Sequence, residues 1–161
     1  MSSQGPHEMA SPNLSFLGMT GVTVEHTELR LPSRLEAVAE GANTVAEFLN
    51  RAGVSEEAAF GIDMAVREGI ANAVIHGNKL DENKIVRITI IRSADSLEVI
   101  VRDQGSGFDA ENVSDPTAEG NIMRTSGRGI FFMRNFMDEV TWSPLPEGGT
   151  ALRMIKKLET S

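Results

Sequence analysis

The side chains best suited to chemistry lie in the run Glu68-Gly-Ile-Ala-Asn72-Ala-Val-Ile-His76-Gly77. Glu68, Asn72 and His76 recur every four residues. Four residues advance about 400° around an α-helix, so the three share one stripe. Ile62, Val66, Ile70 and Val74 repeat with the same period on a different face. The helix is therefore expected to bury one side and present the other. A carboxylate one turn ahead of a carboxamide can set a proton acceptor beside an oxygen ligand for Mg²⁺. An ordinary amphipathic helix with a solvated polar side has the same pattern, and this run alone leaves both readings open.

Two glycine motifs follow. In the first, Asp103-Gln-Gly105-Ser-Gly107, the aspartate ends a row in which Leu97, Val99, Val101 and Asp103 point the same way along a strand. That face is apolar, and a carboxylate at its end is costly to bury unless something bonds to it. The exocyclic amino group of adenine is a natural donor; an aspartate that merely starts a turn is the alternative. Gly105 and Gly107 would let the backbone pass close to a flat ring or a phosphate. In the second, Ser126-Gly127-Arg128-Gly129 opens a helix. The unpaired N–H groups and the dipole there make an anion site, and the glycines remove side chains that would block a polyphosphate. A glycine-rich helix start without a ligand is the alternative. The motif is neither a P-loop nor a Rossmann fingerprint.

These motifs need elements to hold them. Residues 1–20, rich in Ser, Pro, Gly and Met, read as a flexible leader, and 21–159 as one domain. Residues 22–31 carry the β-branched content of a strand. Ser33 is expected to cap a first helix, with Glu36 as its capping-box partner and Gly53 as its stop. Ser55 caps the second, which carries Glu68 and Asn72 and ends near Gly77-Asn78. Strands follow at 85–92 and 97–103, joined by a hairpin turn at 93–96. A long polar loop spans 104–125, the length of a functional lid. Gly127 to Asp138 reads as a third helix, with Ile130, Met133, Phe136 and Met137 on its inner side, and a closing hairpin pairs 140–143 with 150–158. The order predicts an α+β two-layer sandwich, with a mixed, mostly antiparallel sheet covered on one face by helices.

Composition narrows the partners. A net charge of −8 argues against a nucleic-acid backbone as ligand. The absence of cysteine removes disulfides, thiolate metal sites and cysteine nucleophiles. The three histidines lack zinc-ligand spacing. No window offers the ~20 apolar residues of a membrane span, and a cytoplasmic location is the default.

Glu/Asn helix, Asp-Gly-Gly loop and Gly-Gly helix start, in that order, resemble the GHKL ATP-binding superfamily, the fold of histidine-kinase catalytic domains. Arg67 to Gly77, and Ser126-Gly127-Arg128-Gly129 with Met133 to Asp138, look most like the bacterial anti-sigma-factor serine/threonine kinases. The resemblance covers about residues 22–158. It implies ATP and Mg²⁺ as cofactors. Glu68 would be the general base, Asn72 the Mg²⁺ ligand and Asp103 the reader of adenine. Gly105 and Gly107 would flank the base, and Ser126, Gly127, Arg128 and Gly129 would hold phosphates. His76 matches the family's His-Gly, where it would touch phosphates or cap the helix end. Sporulation members place an arginine directly before the Ser-Gly; here that position is Thr125, which leaves Arg124 and Arg128 as the candidate catalytic arginines. The implied partners are a STAS-domain anti-anti-sigma protein, a sigma factor and a second copy of the chain. An ATP-binding switch without kinase activity and a stand-alone histidine-kinase catalytic domain are the rival readings.

Overall fold

The computed structural model describes residues 13–17, 22–105 and 133–158. Six strands form one sheet: β1 (Asn13–Leu17), β2 (Val22–Pro32), β3 (Ile85–Arg92), β4 (Ser96–Arg102), β5 (Glu139–Pro144) and β6 (Thr150–Lys157), in the spatial order β1-β2-β3-β4-β6-β5. Helices α1 (Glu36–Arg51) and α2 (Glu56–Ala71) lie between β2 and β3 in sequence. The α+β architecture read from the sequence is the one that forms. All five described strand pairings are antiparallel, so the parallel component of the expected mixed sheet does not occur among the described residues. Strand β1 falls inside the segment expected to be a leader and extends the sheet by one strand at its β2 edge.

The sheet is built on two apolar rows crossing five strands. Leu29, Ile88, Val101, Leu152 and Trp142 stand opposite one another in turn, and beside them run Thr27, Ile90, Val99, Met154 and Val140. Cross-strand neighbours of this kind fix register, because a slip of one residue would turn the whole set to solvent. Helix α1 buries Ala37, Val45, Phe48 and Leu49, and α2 buries Ile62, Ala65, Val66 and Ile70 in the same core. Each fully buried branched side chain contributes about 1.5–3 kcal/mol. Gly69 lets α2 descend onto the sheet: a β-carbon there would stand 2.8 Å from Leu152 and 3.3 Å from Met154. Glu68 and Asn72 flank this closest approach, which is how the core positions them.

Ser55 caps α2 as expected, accepting from the Ala58 N–H at 3.2 Å, and Gly53 ends α1 at a φ of +76°. Ser33 does not cap α1. That helix starts after Leu35 with no side-chain cap, and Ser33 is turned inward, fully buried, where its N–H and hydroxyl both donate to the Lys84 carbonyl. Residues 133–136 are helical, with Met133 and Met137 buried in the core. Phe136 packs edge-on to Phe60, and the Arg134 guanidinium lies 5.9 Å from the centre of the Trp142 ring.

Candidate functional site

Helix α2 does not end as an α-helix. From Asn72 to Gly77 it widens into a π-turn, closed by the Asn78 N–H donating five residues back to the Ala73 carbonyl at 2.8 Å. Such turns insert a residue into the helical register and concentrate at functional sites. Glu68 and Asn72 thus keep the one-turn spacing read from the sequence, while His76 lies on the widened turn and is exposed. Lys79 and Leu80 then reverse the chain with φ of +53° and +59°. Two consecutive non-glycine residues in the left-handed region are costly and mark a turn held by its surroundings.

Asp103 comes off the end of β4 in line with Leu97, Val99 and Val101, and is 8% exposed. Its Oδ1 accepts from the Gly105 N–H at 3.0 Å and the Thr150 N–H at 3.1 Å. Its own N–H donates to the Thr150 carbonyl at 3.0 Å. Oδ2 makes no hydrogen bond among the described residues. Burial pushes the carboxyl above its ordinary value, against the pull of those two N–H donors and the positive charge of Lys84. Three glycines close around it. A β-carbon on Gly77 would collide with the Asp103 carboxylate, one on Gly105 with the Gly77 carbonyl, and one on Gly149 with the Asp103 carbonyl. Gly149 also needs its φ of +100° for the turn between β5 and β6. The helix end and the strand end are thus pressed together with backbone against backbone.

One turn back along the helix the picture changes. The Asn72 Oδ1 is buried with no hydrogen-bond partner. Glu68 is half-buried, has no hydrogen bond or ion pair among the described residues, and burial raises its carboxyl above the ordinary value. The structure therefore brings Glu68, Asn72, Asp103 and Gly105 to one junction of α2 and β4, with His76 on the turn between. Gly107, Arg124, Ser126, Gly127, Arg128 and Gly129 lie outside the described residues. A carboxamide oxygen buried without a donor suits a hard cation, which takes oxygen ligands. A carboxylate oxygen left open at the mouth of an apolar strand row suits an amino group on a flat base.

Reasoning from sequence missed Asn78, Ser33 and Gln104. Asn78 is 1% exposed. Its Nδ2 donates to Ser33 Oγ at 2.6 Å and to the Ile85 carbonyl at 3.3 Å, and its Oδ1 accepts from the Gln104 N–H at 2.7 Å. The Gln104 side chain in turn accepts from the Ile85 N–H at 2.6 Å. The only local signal was an asparagine directly after the helix-ending glycine, which by itself reads as an exposed turn residue.

A sheet backed by two helices, with acceptors unpartnered among the described residues along one helical segment and the strand end it meets, fits an ATPase-type domain, and the family model of the histidine kinase-like ATPase domain matches residues 31–156. The chain belongs to that family. Its curated relatives point to one branch. It is 34% identical to Serine-protein kinase RsbW of Listeria monocytogenes over 70% of this chain and 75% of that one. It is 30% identical to Serine-protein kinase RsbW of Staphylococcus epidermidis, over 85% and 89% of the two chains. The Anti-sigma F factor of Bacillus velezensis is 33% identical, over 84% and 93%.

Proposed function

We propose that this protein is an ATP-dependent serine/threonine kinase of a bacterial partner-switching system. It phosphorylates a STAS-domain anti-anti-sigma protein and holds a sigma factor inactive when that protein is unavailable. The observation that carries this reading is a set of acceptors without a partner among the described residues: Asp103 Oδ2, Asn72 Oδ1 and the Glu68 carboxylate. The kinship with serine-protein kinases and an anti-sigma factor supplies the reaction class.

On this reading Asp103 accepts from the adenine amino group and fixes the nucleotide's orientation. Asn72 would offer its carboxamide oxygen to Mg²⁺, which when bound would supply positive charge toward the phosphates. Glu68 holds the hydroxyl of the incoming serine or threonine. As that oxygen bonds to the γ-phosphorus, the bond to the β,γ-bridging oxygen breaks, ADP leaves and the hydroxyl proton passes to Glu68. The raised pKa of Glu68 makes it a stronger base than an exposed carboxylate, which favours this transfer. Ser126, Gly127, Arg128 and Gly129 take the phosphates, Arg124 or Arg128 steadies the transferring group, and Gly107 and His76 border the nucleotide. A homodimer in the cytoplasm is the form in which the protein would act; among the described residues no helix is long and apolar enough to cross a membrane.

The test is to incubate the protein with Mg·ATP and a lysate of its host, capture the bound proteins and search them by mass spectrometry. An acid-stable phosphate on a serine or threonine of a captured STAS protein is expected. ATP binding with no transfer to any protein would make it a switch module. An acid-labile phosphate would make it a histidine-kinase domain.

A further inference from the structure

We infer that Asn78 is a positioning residue for nucleobase selection: it locks the loop carrying Asp103 to the helix carrying Asn72, and so sets the span between the base-reading and phosphate-holding ends of the site. This rests on the nucleotide reading above and adds a residue to it.

Asn78 sits six positions after Asn72 on the same helical segment and is 1% exposed. It spends three of the four hydrogen-bonding valences of a carboxamide on three different segments. Nδ2 reaches Ser33 in the turn before α1 and the carbonyl of Ile85 at the start of β3. Oδ1 takes the N–H of Gln104, the residue directly after Asp103. The remaining bonds of Asp103 run to Gly105 and Thr150, so they tie the loop to itself and to β6 but not to the helix. Among the described residues, the Asn78–Gln104 bond is the hydrogen bond that joins helix end to loop. Lys79 and Leu80, at φ of +53° and +59°, turn the chain sharply at the next step, with the Leu80 N–H donating to the Val74 carbonyl at 2.8 Å. A sequence that tolerates two left-handed side-chain-bearing residues to keep Asn78 pointing inward is holding that carboxamide in place.

Adenine presents an amino group where guanine presents a carbonyl. An acceptor held at fixed height discriminates between them, and one free to shift does not. Loss of the lock should therefore lower the preference for ATP over GTP more than it lowers nucleotide binding in general.

Two substitutions separate positioning from packing. Asn78→Leu keeps the branched shape in a somewhat larger side chain and removes the acceptor together with both donors. Asn78→Asp keeps an oxygen toward the Gln104 N–H and places a charge in a buried position. A packing role predicts that Asn78→Asp is the more damaged in stability and in nucleotide selectivity alike. Positioning predicts opposite orders: Asn78→Asp the less stable in thermal denaturation but retaining the ATP-over-GTP ratio of dissociation constants, and Asn78→Leu losing about tenfold of that ratio, the worth of one hydrogen bond. A ratio unchanged in Asn78→Leu, or lost equally in both, overturns the inference. Hydrogen exchange on the unsubstituted protein gives a second check that needs no variant to fold. The Gln104 amide, on an exposed residue, should be protected without nucleotide, and exchange at the rate of a free loop amide overturns the inference. A protein that binds neither nucleotide fails the proposed function and this inference together; a clear preference for ATP that survives Asn78→Leu fails this inference alone.

Discussion

The two ends of the α2–β4 junction are finished to different degrees. At the Asp103 end nearly every polar group is bonded: Asp103 Oδ1 to two N–H donors, Asn78 to three segments, and three glycines closed to backbone-on-backbone contact. At the Glu68–Asn72 end, the Asn72 oxygen is buried without a donor and Glu68 has no partner among the described residues. The Asn72 oxygen is buried, as Asp103 is, so the contrast is not one of surface against core. On the proposed function it separates recognition from chemistry. A geometry that must select a ligand gains from being fixed beforehand, since little ordering remains to be done on binding. Groups that act on a charged ligand stay open until the ligand supplies their partners, and the fold tolerates unsatisfied acceptors there.

The sharpest way to break this contrast is Glu68→Gln. It should lower phosphoryl transfer by ~10²–10⁴-fold in single-turnover assays while calorimetry finds ATP affinity close to that of the unsubstituted protein. A transfer rate that survives would mean that the open end does no chemistry. Next is Gly77→Ala, whose new methyl has no space beside the Asp103 carboxylate. It should cost about 1–3 kcal/mol in denaturant unfolding and weaken ATP binding with it. If the substitution is silent in both, the bonded end is not rigid. Asn72→Leu should move the other way in stability, gaining about 1 kcal/mol by removing a buried acceptor that has no donor, while Mg²⁺ ceases to strengthen ATP binding. The smallest effect is in pH dependence. The folded-state pKa of Glu68 is raised, so its contribution to stability is complete below the ordinary carboxyl value of 4.5 and is lost as pH rises through the raised value. Glu68→Gln lacks this loss and should be the more stable near neutrality, the difference closing as pH falls below 4.5. A difference that grows on acidification would reverse the assignment.

Much of the scaffold was legible because it rests on local periodicity. The alternation that put Leu97, Val99 and Val101 in line carried Asp103 to its place, and the spacing of four put Glu68 and Asn72 on one stripe. Strand β3 falls at 85–92 as read. What local pattern could not convey was partnership across sequence. Ser33 next to a helix start looks like a cap, because capping depends on the following three residues, yet its partners lie 45 and 51 positions away. The π-turn is invisible for a related reason: an i, i+4 repeat continues through it, and only the bond from Asn78 to Ala73 reveals the extra residue. Strand β1 escaped because its five residues are a short run inside a Ser-, Pro- and Gly-rich segment, and it forms by pairing with β2.

Trp142, opposite Leu152 and beneath the Arg134 guanidinium, is the chain's single tryptophan, and the chain has no tyrosine. Ultraviolet absorption at 280 nm and intrinsic emission therefore both originate from one indole. An optical experiment on this protein has a single address, the seam between residues 133–136 and the closing hairpin, and a spectral change on adding nucleotide would locate a rearrangement without any label.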